Sequence, residues 1–476
     1  MKICDKKIAI TTSIILLALA ACTSSPDRKA NILLNKDSLK SDVIMVDEQQ
    51  LHAQYWINKL NEPNNIVMSG NDISKFNQQL FEKNPHVIDP LSLPASFTKQ
   101  ELLAKIDSIS SVPSSERVYF DGKKVTEQDY NNYIAQLNKA EIAENNVVKF
   151  ALVTKRSNLR TFPTNDAIYK VGKDRDLDRF QESAVFPGET LAVLHNSADG
   201  EWALVRAYNY LAWMRIEDFA LGDKADIVNY SNSNNFIVVT GAKAFTNHVP
   251  NFPEISNVQL DMGTKLPLVP RKLYSNELYG QNPYANHIVQ LPVRNSDGKL
   301  DIVFAPVPRG QDVSIGYLPY TEQNLIKQSF KFLGERYGWG HSYNGRDCTG
   351  FVGEIYKSFG ILSPRNSGQQ GKGKYGQNTR FIATSDTPEK SNRISKLRVG
   401  DLIYISGHVM MYIGSENDQP YVIHDVKGLG YLKPDGQLYN GTLNGVSVTP
   451  LLPLHLSLDK SYVDDIYNIK SIRTVK

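Results

Sequence analysis

The spacing of apolar residues changes several times along this chain, and each change marks a unit. Ile8 to Ala20 is a continuous apolar run behind Lys2, Lys6 and Lys7, too short for an ordinary membrane span and suited to an export signal. Thr23 to about Asp47 is polar and reads as a tether. Between about 48 and 145, helical patterns alternate with prolines. Thr98-Lys99-Gln100-Glu101 is an N-cap ahead of Leu102, Leu103, Ile106 and Ile109, and Thr126 to Asn138 is a second helix candidate. From Phe150 short β-type runs recur every eight to twelve residues, the rhythm of a small barrel that includes Trp202 and Trp213. A second, less regular β-unit runs from about Asn235 to Pro319, with Asp297-Gly298 as a hairpin turn and Ile315 to Pro319 as its closing strand.

A helix begins at Thr321, and a second is predicted from Phe351, Val352, Ile355, Tyr356 and Phe359, ending at Gly360. Beyond about Leu397 the period is that of strands. Two β-type runs flank Ser406-Gly407, so His408 opens the second strand of a hairpin, and His424 lies on the next strand. Helices followed by strands predict an α+β domain over 320–476.

Composition narrows the classes. At 476 residues, 41% hydrophobic and 22% charged, the chain is an ordinary globular protein with room for three or four domains. A formal net charge of +3 gives no reason to expect nucleic acid. The three cysteines are more informative. Cys4 falls inside the export signal and Cys22 closes Leu19-Ala20-Ala21-Cys22, which leaves Cys348 as a single thiol with no internal disulfide partner.

Cys348 stands at the first turn of the second predicted helix, where exposed N–H groups and the helix dipole favour a thiolate, the attacking form. A nucleophile needs a base and the base an orienter. His408 and His424 on adjacent strands complete a Cys-His-His relay. Read blandly, the cysteine is a small buried apolar residue and the histidines are satisfied core residues. A zinc site is disfavoured, because the three ligands lack paired spacing. No metal and no cofactor are expected.

Asp347-Cys348-Thr349-Gly350-Phe351-Val352, then Gly400 to Gly414 with its Ser-Gly-His, then a third polar residue, resembles the NlpC/P60 family of cell-wall cysteine peptidases. The resemblance covers about the last third of the chain. It implies a papain-like catalytic domain with Cys348 as nucleophile, His408 as base, His424 as orienter and Tyr337 as an oxyanion donor. It also implies cleavage of the bond between γ-linked D-Glu and the diamino acid of peptidoglycan stem peptides. Trp339, Thr349, Arg365, Asn366 and Ser367 are the substrate contacts it implies. Relatives carry Arg-Asp-Ser where this chain has Arg365-Asn366-Ser367, so selection of a free N-terminal L-Ala amine is expected to be weakened. Amidase or acyl-transfer chemistry on the same fold, general cleavage of the sacculus, and wall binding without catalysis remain open alternatives.

The organisation expected is therefore a signal over 1–21, a tether over 22–47 and a helical stabilising segment over 48–148. SH3-like β-barrels follow over 149–224 and 225–319, and the peptidase domain over 320–476. Leu19 to Cys22 resembles a bacterial lipobox, which implies a lipid on Cys22, and Thr23 after it implies the outer membrane, facing the periplasm. The barrels are expected to pack on the peptidase and shape its pocket, because almost no linker separates Pro319 from Thr321.

Overall fold

The computed structural model describes residues 41–473 apart from 173, 383, 384 and 386. The expected signal, Cys22 and most of the tether lie outside the described residues. No helix among the described residues is long and apolar enough to cross a membrane.

The C-terminal domain is built on a six-stranded antiparallel sheet. Its order is Gln377–Arg380, Asn468–Ser471, Leu402–Ile405, His408–Glu416, Gln419–Leu432 and Leu438–Pro450. The expected hairpin is present, with Ile405 paired to His408 across the Ser406-Gly407 turn. Two helices pack on this sheet, Glu322–Phe330 with Thr321 as N-cap, and Cys348–Lys357 with Asp347 as N-cap. The second stops at Lys357, and Gly360 then turns the chain at φ +79°. The core between helix and sheet includes Phe351, Ile355, Met411 and Ile423, all fully buried.

The first barrel is a seven-stranded antiparallel sheet. Its order is Phe219–Gly222, Lys149–Val153, Thr190–Asn196, Trp202–Arg206, Leu211–Arg215, Ser157–Arg160 and Gln181–Val185. Trp202 and Trp213 are buried, which makes both core residues. The second β-unit is less regular, as its sequence is. Three small sheets surround a core of its own that contains Ile237, Leu266 and Val289. Its last strand, Val313–Ile315, ends where Gly316 takes φ +72°, so Tyr317 to Pro319 lies outside the strand that the sequence predicts there.

The segment over 48–148 contributes residues to two cores. Helix Lys99–Ile109 starts at the Thr98 cap, whose hydroxyl accepts from the Glu101 N–H, and its Leu102 and Ile106 share a core with Trp202 and Trp213. Earlier in the segment, Trp56, Ile57 and Met68 enter the core of the C-terminal domain, and Ile66–Met68 pairs with Tyr320–Thr321.

Candidate active site

Cys348 is the first residue of its helix, and the Asp347 carboxylate accepts the Gly350 N–H, closing the first turn. The sulfur is buried among apolar side chains. Burial pushes the thiol up to about 12, with the Asp347 and Asp425 carboxyls acting in the same direction; the Val409 backbone N–H and Arg365 oppose them. The thiolate expected from helix position alone is thus not the resting form.

His408 is half-buried at the start of its strand, and its Nε2 is 2.8 Å from Nδ1 of His424. Nε2 of His424 is in turn 2.9 Å from Oγ1 of Thr449. Burial holds His408 down to about 4 although Asp347 pulls it up, and burial together with His408 keeps His424 well below the usual histidine value. Both rings are neutral at pH 7. With Nε2 of His408 occupied, Nδ1 is the ring nitrogen left for a further partner.

Tyr337 is buried with its hydroxyl protonated, because burial and the charges of Cys348, Asp347 and Asp425 push its ionisation far up. It is therefore a hydrogen-bond donor. Asp425 is fully buried with neither carboxyl oxygen bonded among the described residues, and burial with Asp347 and Glu335 pushes it up to about 9. It is neutral at pH 7.

The other expected residues divide into two groups. Arg365 and Thr349 are buried, and their polar atoms are turned to the protein. The Arg365 guanidinium donates to both Asp347 oxygens, to the Thr349 hydroxyl, to the Ser183 hydroxyl and to Nδ1 of His341. Thr349 donates to Asp347. Through these bonds the two residues hold the aspartate that caps the nucleophile helix. Burial alone would raise Asp347, but Arg365, His341 and the Gly350 N–H together outweigh it and keep the carboxylate ionised. Trp339, Asn366 and Ser367 are at least partly exposed. The indole N–H of Trp339 donates to the Gln181 carbonyl, 3.1 Å away, and Arg179 stacks over the ring at 4.8 Å.

The first barrel therefore forms a wall of the site. Its strand Gln181–Val185 carries Glu182, whose carboxylate accepts from the Tyr210 and Thr161 hydroxyls, and Tyr210 lies beside Asn366. Neither Glu182 nor Tyr210 stood out in the sequence. What placed them was strand pairing between residues far apart in the chain, with no local motif to mark it.

The stretch between Tyr337 and Asp347 is backbone-strained, with positive φ at His341, Tyr343 and Asn344 besides Gly340. Gly338 is required, since an added Cβ would lie 2.1 Å from the Ser342 carbonyl oxygen. His341 is buried between Glu354 on Nε2 and Arg365 on Nδ1.

With this geometry in hand, comparison with known proteins is informative. The sequence model of the NlpC/P60 family matches residues 334–447, and that of the SH3 domain (SH3b1 type) matches residues 166–215. The chain carries an NlpC/P60 domain. The gamma-D-glutamyl-L-lysine dipeptidyl-peptidase of Bacillus cereus is 37% identical over 103 residues, 20% of this chain and 26% of that protein. The bifunctional muramidase/DL-endopeptidase of Bacillus subtilis is 27% identical over 168 residues, 32% of this chain and 42% of that one. The chain thus spans less than half the length of either curated relative. In fold it is similar to an NlpC/P60 endopeptidase from Photobacterium damselae subsp. piscicida, with a TM-score of 0.70 at 17% identity over 88% of this chain and 96% of the other. An SH3b1-type domain ahead of an NlpC/P60 domain is thus the architecture of the chain.

Proposed function

We propose that this protein is a peptidoglycan hydrolase, a cysteine endopeptidase that cuts stem peptides between γ-D-Glu and the diamino acid. The observation that carries the reading is the relay. A thiol heads a helix, the neutral His408 ring is fixed through His424, and a protonated tyrosine hydroxyl lies within electrostatic reach of the thiol. Names given to the two curated relatives, one a γ-D-glutamyl-L-lysine peptidase and the other a DL-endopeptidase, point to the same bond.

The chemistry follows from the protonation states. His408 Nδ1 takes the thiol proton as the sulfur attacks the carbonyl carbon, then delivers it to the leaving amine. Charge developing on the carbonyl oxygen is met by the Cys348 N–H and the Tyr337 hydroxyl. A water molecule then hydrolyses the thioester.

We infer further that the enzyme favours stems with a free N-terminal amine. In this reading the carboxylate missing at Asn366 is supplied by Glu182 from the barrel, whose partner Tyr210 lies beside Asn366. Cys348→Ala and His408→Ala should each abolish cleavage of L-Ala-γ-D-Glu-diamino acid tripeptide. Glu182→Gln should cost about 1–2 kcal/mol of preference for the free tripeptide over the same stem bonded to muramic acid, the scale of one charged hydrogen bond. Full turnover by Cys348→Ala ends the peptidase reading. Equal rates on both stems in wild type and Glu182→Gln would mean an open pocket and general action on the sacculus.

Anchoring at the outer membrane through a lipid on Cys22 is part of the proposal and rests on the lipobox-like Leu19 to Cys22. Wild type should enter the detergent phase on phase separation, and Cys22→Ala should not.

A further inference from the structure

We propose that Thr449 is a positioning residue for catalysis, the fourth member of the relay, whose hydroxyl sets the tautomer of both histidines. The proposal rests on His408 acting as base. Nε2 of His408 faces Nδ1 of His424 at 2.8 Å, and Nε2 of His424 faces Oγ1 of Thr449 at 2.9 Å. His424 and Thr449 are buried, at 1% and 0% exposure, so solvent does not substitute for either contact.

A neutral histidine carries one N–H, so each link in the chain has a direction. For Nδ1 of His408 to accept the thiol proton, its own proton must sit on Nε2. That N–H then donates to Nδ1 of His424, which must present a lone pair. His424 consequently carries its proton on Nε2, and only an acceptor there satisfies it. The Thr449 hydroxyl oxygen is that acceptor. Reverse the last bond, with the hydroxyl donating to Nε2, and every proton shifts one place. His408 then holds its proton on Nδ1, facing the thiol, and cannot act as base. The wrong tautomer in the equivalent bond of serine peptidases costs orders of magnitude in kcat.

The sequence gives no hint of this residue. Thr449 lies 25 positions beyond His424 on strand Leu438–Pro450, in a run that reads as ordinary β-sheet. The groups bearing electrostatically on the two rings are Asp347, acting on His408, and His408, acting on His424.

Three measurements test the proposal in the full-length protein. Thr449→Val keeps the shape and removes the acceptor, and should lower kcat on tripeptide at least tenfold with KM unchanged. Thr449→Ser restores the acceptor and should retain at least a third of wild-type kcat. Nitrogen NMR of histidine-labelled wild type should show His424 protonated on Nε2 and bare on Nδ1. Wild-type kcat in Thr449→Val overturns the proposal, as does a Thr449→Ser protein that is folded but as slow as the valine variant. So does a wild-type His424 protonated on Nδ1, a reading that needs no substrate and stands even if Thr449→Val fails to fold. A wild-type enzyme inert on stem peptides but with the expected tautomer would instead count against the proposed substrate alone.

Discussion

At the residue scale, the protonation state of Cys348 decides how the reaction starts. A helix N-terminus stabilises an anion by up to about 2 kcal/mol, roughly 1.5 pKa units, while full burial moves a group by as much as about 3–5 units. Burial is the larger effect, and the carboxyls of Asp347 and Asp425 add to it, which is why the thiol stands at about 12. The resting pair is therefore neutral thiol and neutral imidazole, and the proton moves during attack. Two pH profiles follow. Alkylation of Cys348 by iodoacetamide, without substrate, should be slow at pH 7 and rise steeply toward alkaline pH. The acid limb of kcat/KM should lie near the His408 value of about 4, since a base whose pKa is lowered stays unprotonated, and active, below the usual 6.5. A limb centred near 6.5 would mean that His408 titrates as a solvated ring.

Elements were legible where the signal is local. The Thr98 cap, the helix starts at Thr321 and at Cys348, the Ser406-Gly407 turn and the strand bearing His424 each depend on a few neighbouring residues, and each is present. What was not legible depends on pairing across long separations. Glu182 and Ser183 reach the site from a barrel strand some 165 residues before Cys348, and the bond from Arg365 to Ser183 could not be read from either segment alone. The loop before the nucleophile was equally opaque, since left-handed histidine, tyrosine and asparagine residues are held by surrounding structure and not by their own propensity. Gly350 shows the same limit inside a helix. Alanine normally gains about 1 kcal/mol over glycine at such a position. Here an added Cβ would lie 2.7 Å from Cε1 of His341, a ring pinned by Glu354 and Arg365. Gly350→Ala should lower the thermal midpoint and displace the start of the nucleophile helix, reducing kcat as well. An increase in melting temperature would show that the ring yields.

Across the whole molecule, the barrels and the peptidase are joined through buried charge, and Arg346 is the centre of the junction. It lies two residues before the nucleophile and is 0% exposed. Its guanidinium donates to Glu335 at 2.8 Å, to Glu354 at 2.9 Å, and to Asp261 and the Ala242 carbonyl at 2.8 Å each, the last two in the second β-unit. One cation thus faces three carboxylates, with Arg156 as a further neighbour of Asp261 at 3.6 Å. Replacing a whole buried ion cluster with apolar residues is often neutral, but removing one member leaves the rest uncompensated and costs about 3–5 kcal/mol. Arg346→Met should fall in that range in urea unfolding. Lysine should not rescue it, because a single ammonium lacks the planar fork that spans several acceptors. The sign with pH is defined. Burial and Glu354 already raise Asp261, and without the guanidinium it loses the Arg346 charge that lowers it, so the deficit should shrink as pH falls and this group protonates, and widen as pH rises. Adding Asp261→Asn to Arg346→Met should recover part of the loss, since it removes one of the repelling charges. A deficit that is flat in pH and unchanged by Asp261→Asn would assign the cost of Arg346→Met to lost packing over Phe332, whose ring lies 4.8 Å from the guanidinium.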